Sequence, residues 1–172
     1  ITGPLHAALA TLAGMDKPLV TLVNGPAAGA GLGLAIAGDL VVAARSAHFT
    51  SAYTAIGLTP DGGTSWVLPR RIGLGRALDL VATNRRVGAE EAERIGLVDR
   101  VVEDSALMEE GLALAERLAA VPAAVARSRR LPAEGLGRGL AEQLDHEARS
   151  IDERAASPDA RQAIERFLSK PG

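Results

Sequence analysis

Residues 17–44 read KPLVTLVNGPAAGAGLGLAIAGDLVVAA. The aliphatic run after Lys17, bounded by Pro18 and by Asn24-Gly25, has the length and composition of a buried strand. It breaks into a segment holding Gly25, Gly29, Gly31, Gly33 and Gly38, then resumes with no charge until Asp39. Leu32 to Ala37 is predicted as a small, tightly packed helix, and DLVVAA as a second buried strand. A strand, a glycine loop and a helix start present free backbone N–H groups and the positive end of a helix dipole. Two readings stay open on spacing alone. The loop binds a phosphate or an oxyanion, or its glycines only permit close helix–sheet packing. The nucleotide versions fail. Gly29-Ala30-Gly31-Leu32-Gly33 is G-x-G-x-G rather than G-x-G-x-x-G, the acid expected some twenty residues later is missing, and no Gly-Lys-Ser/Thr follows.

Outward from this stretch, Leu5, Leu9 and Leu12 stripe a helix over Pro4 to Gly14, with a glycine end. AHFT, ending at Thr50, reads as a third strand. IGLTPDGGTSWVLPRRIG is a turn followed by a short helix, and GRALDLVAT is helical. A further helix lies between Gly88 and Gly96, with a strand over Leu97 to Val102. From Ser105 the chain is nearly all helix. Ser105 is the expected N-cap for Ala106 to Ala120, which ends before Pro122. Leu136, Leu140, Leu144 and Ile151 stripe one helix, and Ser157-Pro158-Asp159 opens the last. The pattern is an α/β core with a parallel sheet over residues 1–104 and a helical C-terminal region over residues 105–172.

The chain has 172 residues, of which 47% are hydrophobic and 2% aromatic, with a formal net charge of -2. So few aromatics and no basic block exclude a nucleic-acid partner. No apolar run approaches the ~20 residues of a membrane span, and the first residues lack a basic n-region and cleavage site, so neither a membrane partner nor a signal peptide is expected. Cysteine is absent, which removes thiolate chemistry and fits a cytoplasmic protein. His6, His48 and His146 have no metal-ligand spacing and read as surface or core histidines, so no metal is expected. Asp61, in Pro60-Asp61-Gly62, has two readings: a turn residue capping the helix near Thr64, or a carboxylate facing Ile56, Leu58, Trp66, Val67 and Leu68. In such apolar company its pKa would rise toward a useful acid–base value.

Taken together, the run from KPLVTLVNG through GLTPDGGTSWVLPRRIG, RALDLVATNRRVGAEEAERIGLVDRVV and RQAIERFLSK resembles the enoyl-CoA hydratase/isomerase, or crotonase, family over nearly the whole chain. The resemblance implies an α/β fold, the crotonase (ClpP-like) ββα spiral, with a helical C-terminal trimerisation region. It also implies acyl-CoA thioester substrates, no cofactor beyond the coenzyme A of the substrate, and a homotrimer or hexamer. In that family a thioester oxygen sits between two backbone N–H groups, and the second falls by position on Ala30, with Gly29, Gly31 and Gly33 shaping the loop. The two glutamates of the hydratases fall on Gly33 and Tyr53, so ordinary hydration is disfavoured and Tyr53 lines the acyl pocket. Asp61, followed by Gly62, coincides with the aspartate of dienoyl-CoA isomerases and of the ring-opening epoxide isomerases of phenylacetate breakdown. GLTPDGGTSWVLPR resembles that last pattern especially. The family's first oxyanion donor belongs to an N-terminal ββα region ahead of the helix at Pro4, which implies a missing N-terminal part.

Three functions follow from the resemblance. The first is an acyl-CoA isomerase with Asp61 as base and Ala30 N–H as oxyanion donor. The second is a hydratase, hydrolase or lyase of the family, using water held by other groups such as Tyr53. The third is a non-catalytic acyl-CoA-binding or assembly protein.

Overall fold

Val20–Val23 is strand β1 in the computed structural model, which describes residues 2–120 and 122–169. It pairs in parallel with β3, Leu40–Ala44, placing Val20 opposite Leu40 and Val23 opposite Ala43. β3 in turn pairs in parallel with β6, Arg100–Val102. A second sheet joins β2, Pro26–Ala28, in parallel to β4, His48–Thr50. Its other edge is β5, Val87–Gly88, antiparallel to β4. The single parallel sheet expected from the sequence is therefore two three-stranded sheets, one of them mixed. β2 escapes the pattern because Pro26-Ala27-Ala28 has no branched aliphatic residue. β5 escapes it because two residues carry no periodicity.

Asp39 and Asp99 work at the strand starts rather than as isolated charges. The Leu19 N–H donates to Asp39 Oδ2 at 2.7 Å, and the Val41 N–H donates to Asp99 Oδ2 at 2.7 Å. Arg71 closes the same end by donating to the Gly38 carbonyl at 2.7 Å and to Asp99 at 3.2 Å. The core between the sheets and their helices is built on Phe49, Leu32, Leu68, Leu80 and Leu97, all fully buried.

The long helix after β6 starts later than its sequence suggests. Asp104–Ala106 is a 3₁₀ turn, and the α-helix runs over Leu107–Ala119 without a side-chain cap, so Ser105 is not its N-cap. This helix packs on the first sheet. A Cβ on its Gly111 would fall 2.4 Å from Leu22 Cδ2, so the helix axis approaches β1 as closely as glycine permits. The first compact unit accordingly extends to Ala120.

The second unit is helical, with segments at Pro122–Ser128, Arg130–Gly135, Leu140–Ala155 and Pro158–Leu168. The expected stripe Leu136, Leu140, Leu144, Ile151 is split, because Leu136 ends one helix and Gly139 caps the next. Glycine at 135, 137 and 139 ends the helical run there. Ser157 caps the last helix as its sequence predicts, accepting the Ala160 N–H at 3.4 Å with Pro158 at the first position. Among the described residues no helix is long and apolar enough to cross a membrane.

Candidate functional site

The site is built where the glycine segment meets the Asp61 turn, all within the first unit. The first helix, α1, spans Gly3–Gly14. The second, α2, is the six residues Ala30–Ala35, with Gly29 at its N-cap in φ 54, ψ -122. That backbone is open to glycine and strained for any other residue. The Gly29 N–H donates to the Thr50 carbonyl at 3.4 Å, and the Gly29 carbonyl accepts from Leu32 N–H at 3.0 Å and Gly33 N–H at 3.3 Å. Two of the four orphan donors of a helix start are thereby used. The other two, on exposed Ala30 and Gly31, have no acceptor among the described residues.

Asp61 lies in a turn whose next residues, Gly62 and Gly63, have φ 60 and 75. Gly63 is the N-cap of α3, Thr64–Ile72. The fully buried Thr64 anchors the turn by donating its N–H at 3.2 Å and its hydroxyl at 2.7 Å to the Asp61 carbonyl. The backbone of Asp61 therefore serves the turn, while its side chain is spared from capping. That carboxylate instead meets His6 on α1, with Oδ1 2.5 Å from Nε2. Leu5 and Leu9 bring α1 to this place, because both lie over Gly62, 3.6 and 3.9 Å from where its Cβ would be.

The environment of Asp61 differs from the apolar pocket expected for it. Ile56, Leu58 and Trp66 are 73%, 56% and 55% exposed, and Leu68 belongs to the core. The Gly62 backbone N–H, and then the His6 hydrogen bond, hold the Asp61 carboxyl below the usual aspartate range. Asp61 is thus an ionised carboxylate at neutral pH rather than a group lifted toward it.

Gly33 faces the same turn from α2. A Cβ there would sit 2.4 Å from the Gly62 carbonyl oxygen and 3.1 Å from its carbon. Of the five glycines in the opening segment, Gly33 and Gly38 serve packing, the latter with Thr21 Oγ1 2.6 Å from its absent Cβ. Gly29 serves the left-handed turn that frees the two N–H groups. The packing reading is thus realised at Gly33 and Gly38, while Gly29 leaves two backbone N–H groups without an acceptor among the described residues. Gly33→Ala is expected to destabilise the first unit by about 1–3 kcal/mol, the usual cost of overpacking against backbone that must shift. A lower urea midpoint in chemical denaturation checks this, and an unchanged midpoint contradicts it.

Tyr53 completes the cluster. It precedes the 3₁₀ turn Thr54–Ile56, and follows Ala52, which holds φ 63, a conformation costing a non-glycine residue roughly 1–2 kcal/mol. Its ring reaches the glycine loop, with Cζ 3.8 Å from the position of a Gly29 Cβ. Its hydroxyl oxygen is buried and, among the described residues, makes no hydrogen bond of normal geometry, although the Asp61 backbone lies close to it. Burial, and then the neighbouring Asp61 charge, push the phenol pKa up.

The fold therefore gathers Gly29, Ala30, Gly31, Gly33, Tyr53, Asp61 and Gly62 into one place, and adds His6. No local spacing links His6 to Asp61, which lies 55 residues away. The only available signal is its position between Leu5 and Leu9 on the α1 stripe. The other histidines lie elsewhere: His48 Nδ1 is 2.9 Å from Arg86, and His146 Nε2 is 2.6 Å from Glu134. An ionised carboxylate, an imidazole, a phenol and two free N–H groups are the parts of an acid–base site that can hold a developing oxyanion.

The family model described as enoyl-CoA hydratase/isomerase matches residues 2–171. A protein of Rhodobacter capsulatus named "Probable enoyl-CoA hydratase" is 44% identical over 154 residues, covering 89% of this chain and 60% of that protein. The 1,2-epoxyphenylacetyl-CoA isomerase of Escherichia coli is 45% identical over 111 residues, covering 64% of this chain and 42% of that one. The crystal structure of an enoyl-CoA hydratase/isomerase from Cupriavidus metallidurans superimposes with a TM-score of 0.91 at 35% identity, over 97% of this chain and 63% of that one. The chain thus spans between two fifths and two thirds of the length of these relatives. With the family model matching residues 2–171 and the fold superimposing over 97% of the chain, the chain belongs to the enoyl-CoA hydratase/isomerase family and has the crotonase fold.

Proposed function

We propose that this chain carries the proton-transfer site of an acyl-CoA isomerase. The thioester oxygen of the substrate accepts a hydrogen bond from the Ala30 N–H. Asp61 removes a proton from the α-carbon; the C–H bond breaks, an O–H bond forms on the carboxyl, and the electron pair passes into a dienolate whose charge rests on the thioester oxygen. Asp61 returns the proton to the γ-carbon, so a 3-enoyl thioester becomes a 2-enoyl thioester. A carboxyl held below its usual pKa is ionised before the reaction and is a willing proton donor halfway through it.

The observation that carries this reading is the contact at Gly33. The Gly62 carbonyl occupies the space that any side chain at 33 would need, so no second carboxylate enters from α2 beside Asp61. One base suffices to move a double bond, whereas adding water calls for a second group to position it. Assembly as a trimer or hexamer through the second unit belongs to the same proposal. The exposed Leu140, Leu144 and Ile151 on one helix support it. Incubation of the purified protein with 3-enoyl-CoA in deuterated buffer is expected to yield 2-enoyl-CoA, with solvent deuterium at the γ-carbon in the fraction of turnovers in which the Asp61 carboxyl exchanges before it returns the proton. Hydration of 2-enoyl-CoA outpacing that shift would overturn the proposal.

A second reading rests on the His6–Asp61 contact. An imidazole 2.5 Å from a carboxylate can orient and activate a water molecule, which supports a hydrolase or lyase of the family. Under that reading the same assay returns a hydrated or hydrolysed thioester.

A further inference from the structure

Tyr53, which the family resemblance places where hydratases carry their second glutamate, does more than fill that volume. Its hydroxyl is buried, and a buried hydroxyl without a partner is costly compared with the phenylalanine that would fill the same volume. Among the described residues of the first unit, Ser51 Oγ and Asn84 Oδ1 are also buried and unpartnered. Tyr53 differs from them in its neighbours. Its Cζ is 3.8 Å from the Gly29 Cβ position, one residue before the free Ala30 N–H, and its phenol lies within reach of the Asp61 charge and backbone. The hydroxyl is therefore carried by a ring that lies against Gly29 and is close enough to Asp61 to feel its charge.

We propose that Tyr53 is a specificity-determining residue whose O–H donates a hydrogen bond to the acyl group, so that this site prefers acyl-CoA thioesters bearing a hydroxyl, epoxide or carbonyl oxygen within two carbons of the α-carbon. The proposal rests on the acyl-CoA reading above and deepens it. Burial and the Asp61 charge keep the phenol protonated, so its O–H is available to donate toward substrate. An oxygen-bearing acyl group satisfies this donor, whereas a plain hydrocarbon chain leaves it unpaired. That asymmetry is the usual source of discrimination by a buried polar group.

The test is calorimetric titration of the wild-type protein and Tyr53→Phe with 3-hydroxybutyryl-CoA, 4-hydroxybutyryl-CoA and butyryl-CoA. Wild-type protein is expected to bind at least one hydroxylated thioester about two- to tenfold more tightly than butyryl-CoA, the range of one neutral hydrogen bond. Tyr53→Phe is expected to erase that preference. Equal affinity for all three thioesters, or a preference that survives in Tyr53→Phe, overturns the inference while leaving the acyl-CoA reading intact. Absence of binding for all three overturns both. Binding is read without turnover, so failure of Asp61 as a base would show separately, as unchanged isomerisation in Asp61→Asn.

Discussion

Asp61→Asn is expected to slow double-bond migration about 10²–10⁴-fold, the usual contribution of a positioned acid–base group. The amide is nearly isosteric with the carboxylate. The turn itself depends on the Asp61 carbonyl and Thr64, not on the side chain. The variant should therefore fold, accept the His6 hydrogen bond and lack only the base. Isomerisation of 3-enoyl-CoA and solvent deuterium exchange at the α-carbon are the readouts, with circular dichroism as the check on folding. A rate unchanged in this variant would return Asp61 to the role of a turn residue.

The same residue sets the pH dependence. Its folded pKa is held below the aspartate reference of about 3.9 by the Gly62 N–H and His6. As pH falls through that lowered value the carboxylate is protonated and the base is lost, so kcat/KM should stay level above the reference and fall only below it. The contribution of these contacts to stability has the same sign. It is fully present above the unfolded pKa and lost on acidification through the folded one. An acid limb near pH 6–7 instead would belong to a different group, since a histidine titrates about there.

Ala30→Pro is expected to cost about 10²–10³ in kcat, the usual loss on removing one oxyanion donor. The substitution deletes the N–H and little else. Position 30 is the first of α2, where proline is well tolerated. Gly29 at φ 54, ψ -122 has no Cβ to clash with the proline ring. The N–H that disappears has no acceptor among the described residues, so the fold loses no hydrogen bond with it. Ala30→Gly retains the donor and should retain most of the rate. Steady-state turnover of the two variants, with thermal melting as the control, separates the donor from the side chain. If Ala30→Pro keeps wild-type kcat, the thioester oxygen lies elsewhere.

Much of this is legible in the sequence. The strands at Val20–Val23 and Leu40–Ala44 and the helix start after Gly29 lie close to where aliphatic runs and glycine put them. Local chemistry governs such elements: a run of Val and Leu buries itself, and Gly29 supplies a backbone turn that other residues resist. The family, too, was carried by contiguous motifs. The division of the strands into two sheets was not legible, because β2 and β5 are too short and too small-sided to show a pattern. The cap expected at Ser105 gave way to a 3₁₀ turn, since the approach of Gly111 to Leu22, and not a local hydroxyl, sets where that helix lies.

For the site, the sequence by itself determined, through its resemblance to the family, which residues are proposed to carry chemistry: Ala30 in the glycine loop, Asp61 in its turn, and Gly33 and Tyr53 where the hydratases have carboxylates. Only the tertiary structure decided what state those residues are in. Apolar neighbours in sequence suggested a raised Asp61 pKa, but Ile56, Leu58 and Trp66 are exposed and the carboxylate meets His6 and the Gly62 N–H. The 55-residue separation of His6 from Asp61 has no periodicity to betray it. The contact exists because Leu5 and Leu9 lie over Gly62 and carry the intervening residue to the turn. A residue's identity is local, but its pKa and partners come from whatever the fold packs beside it.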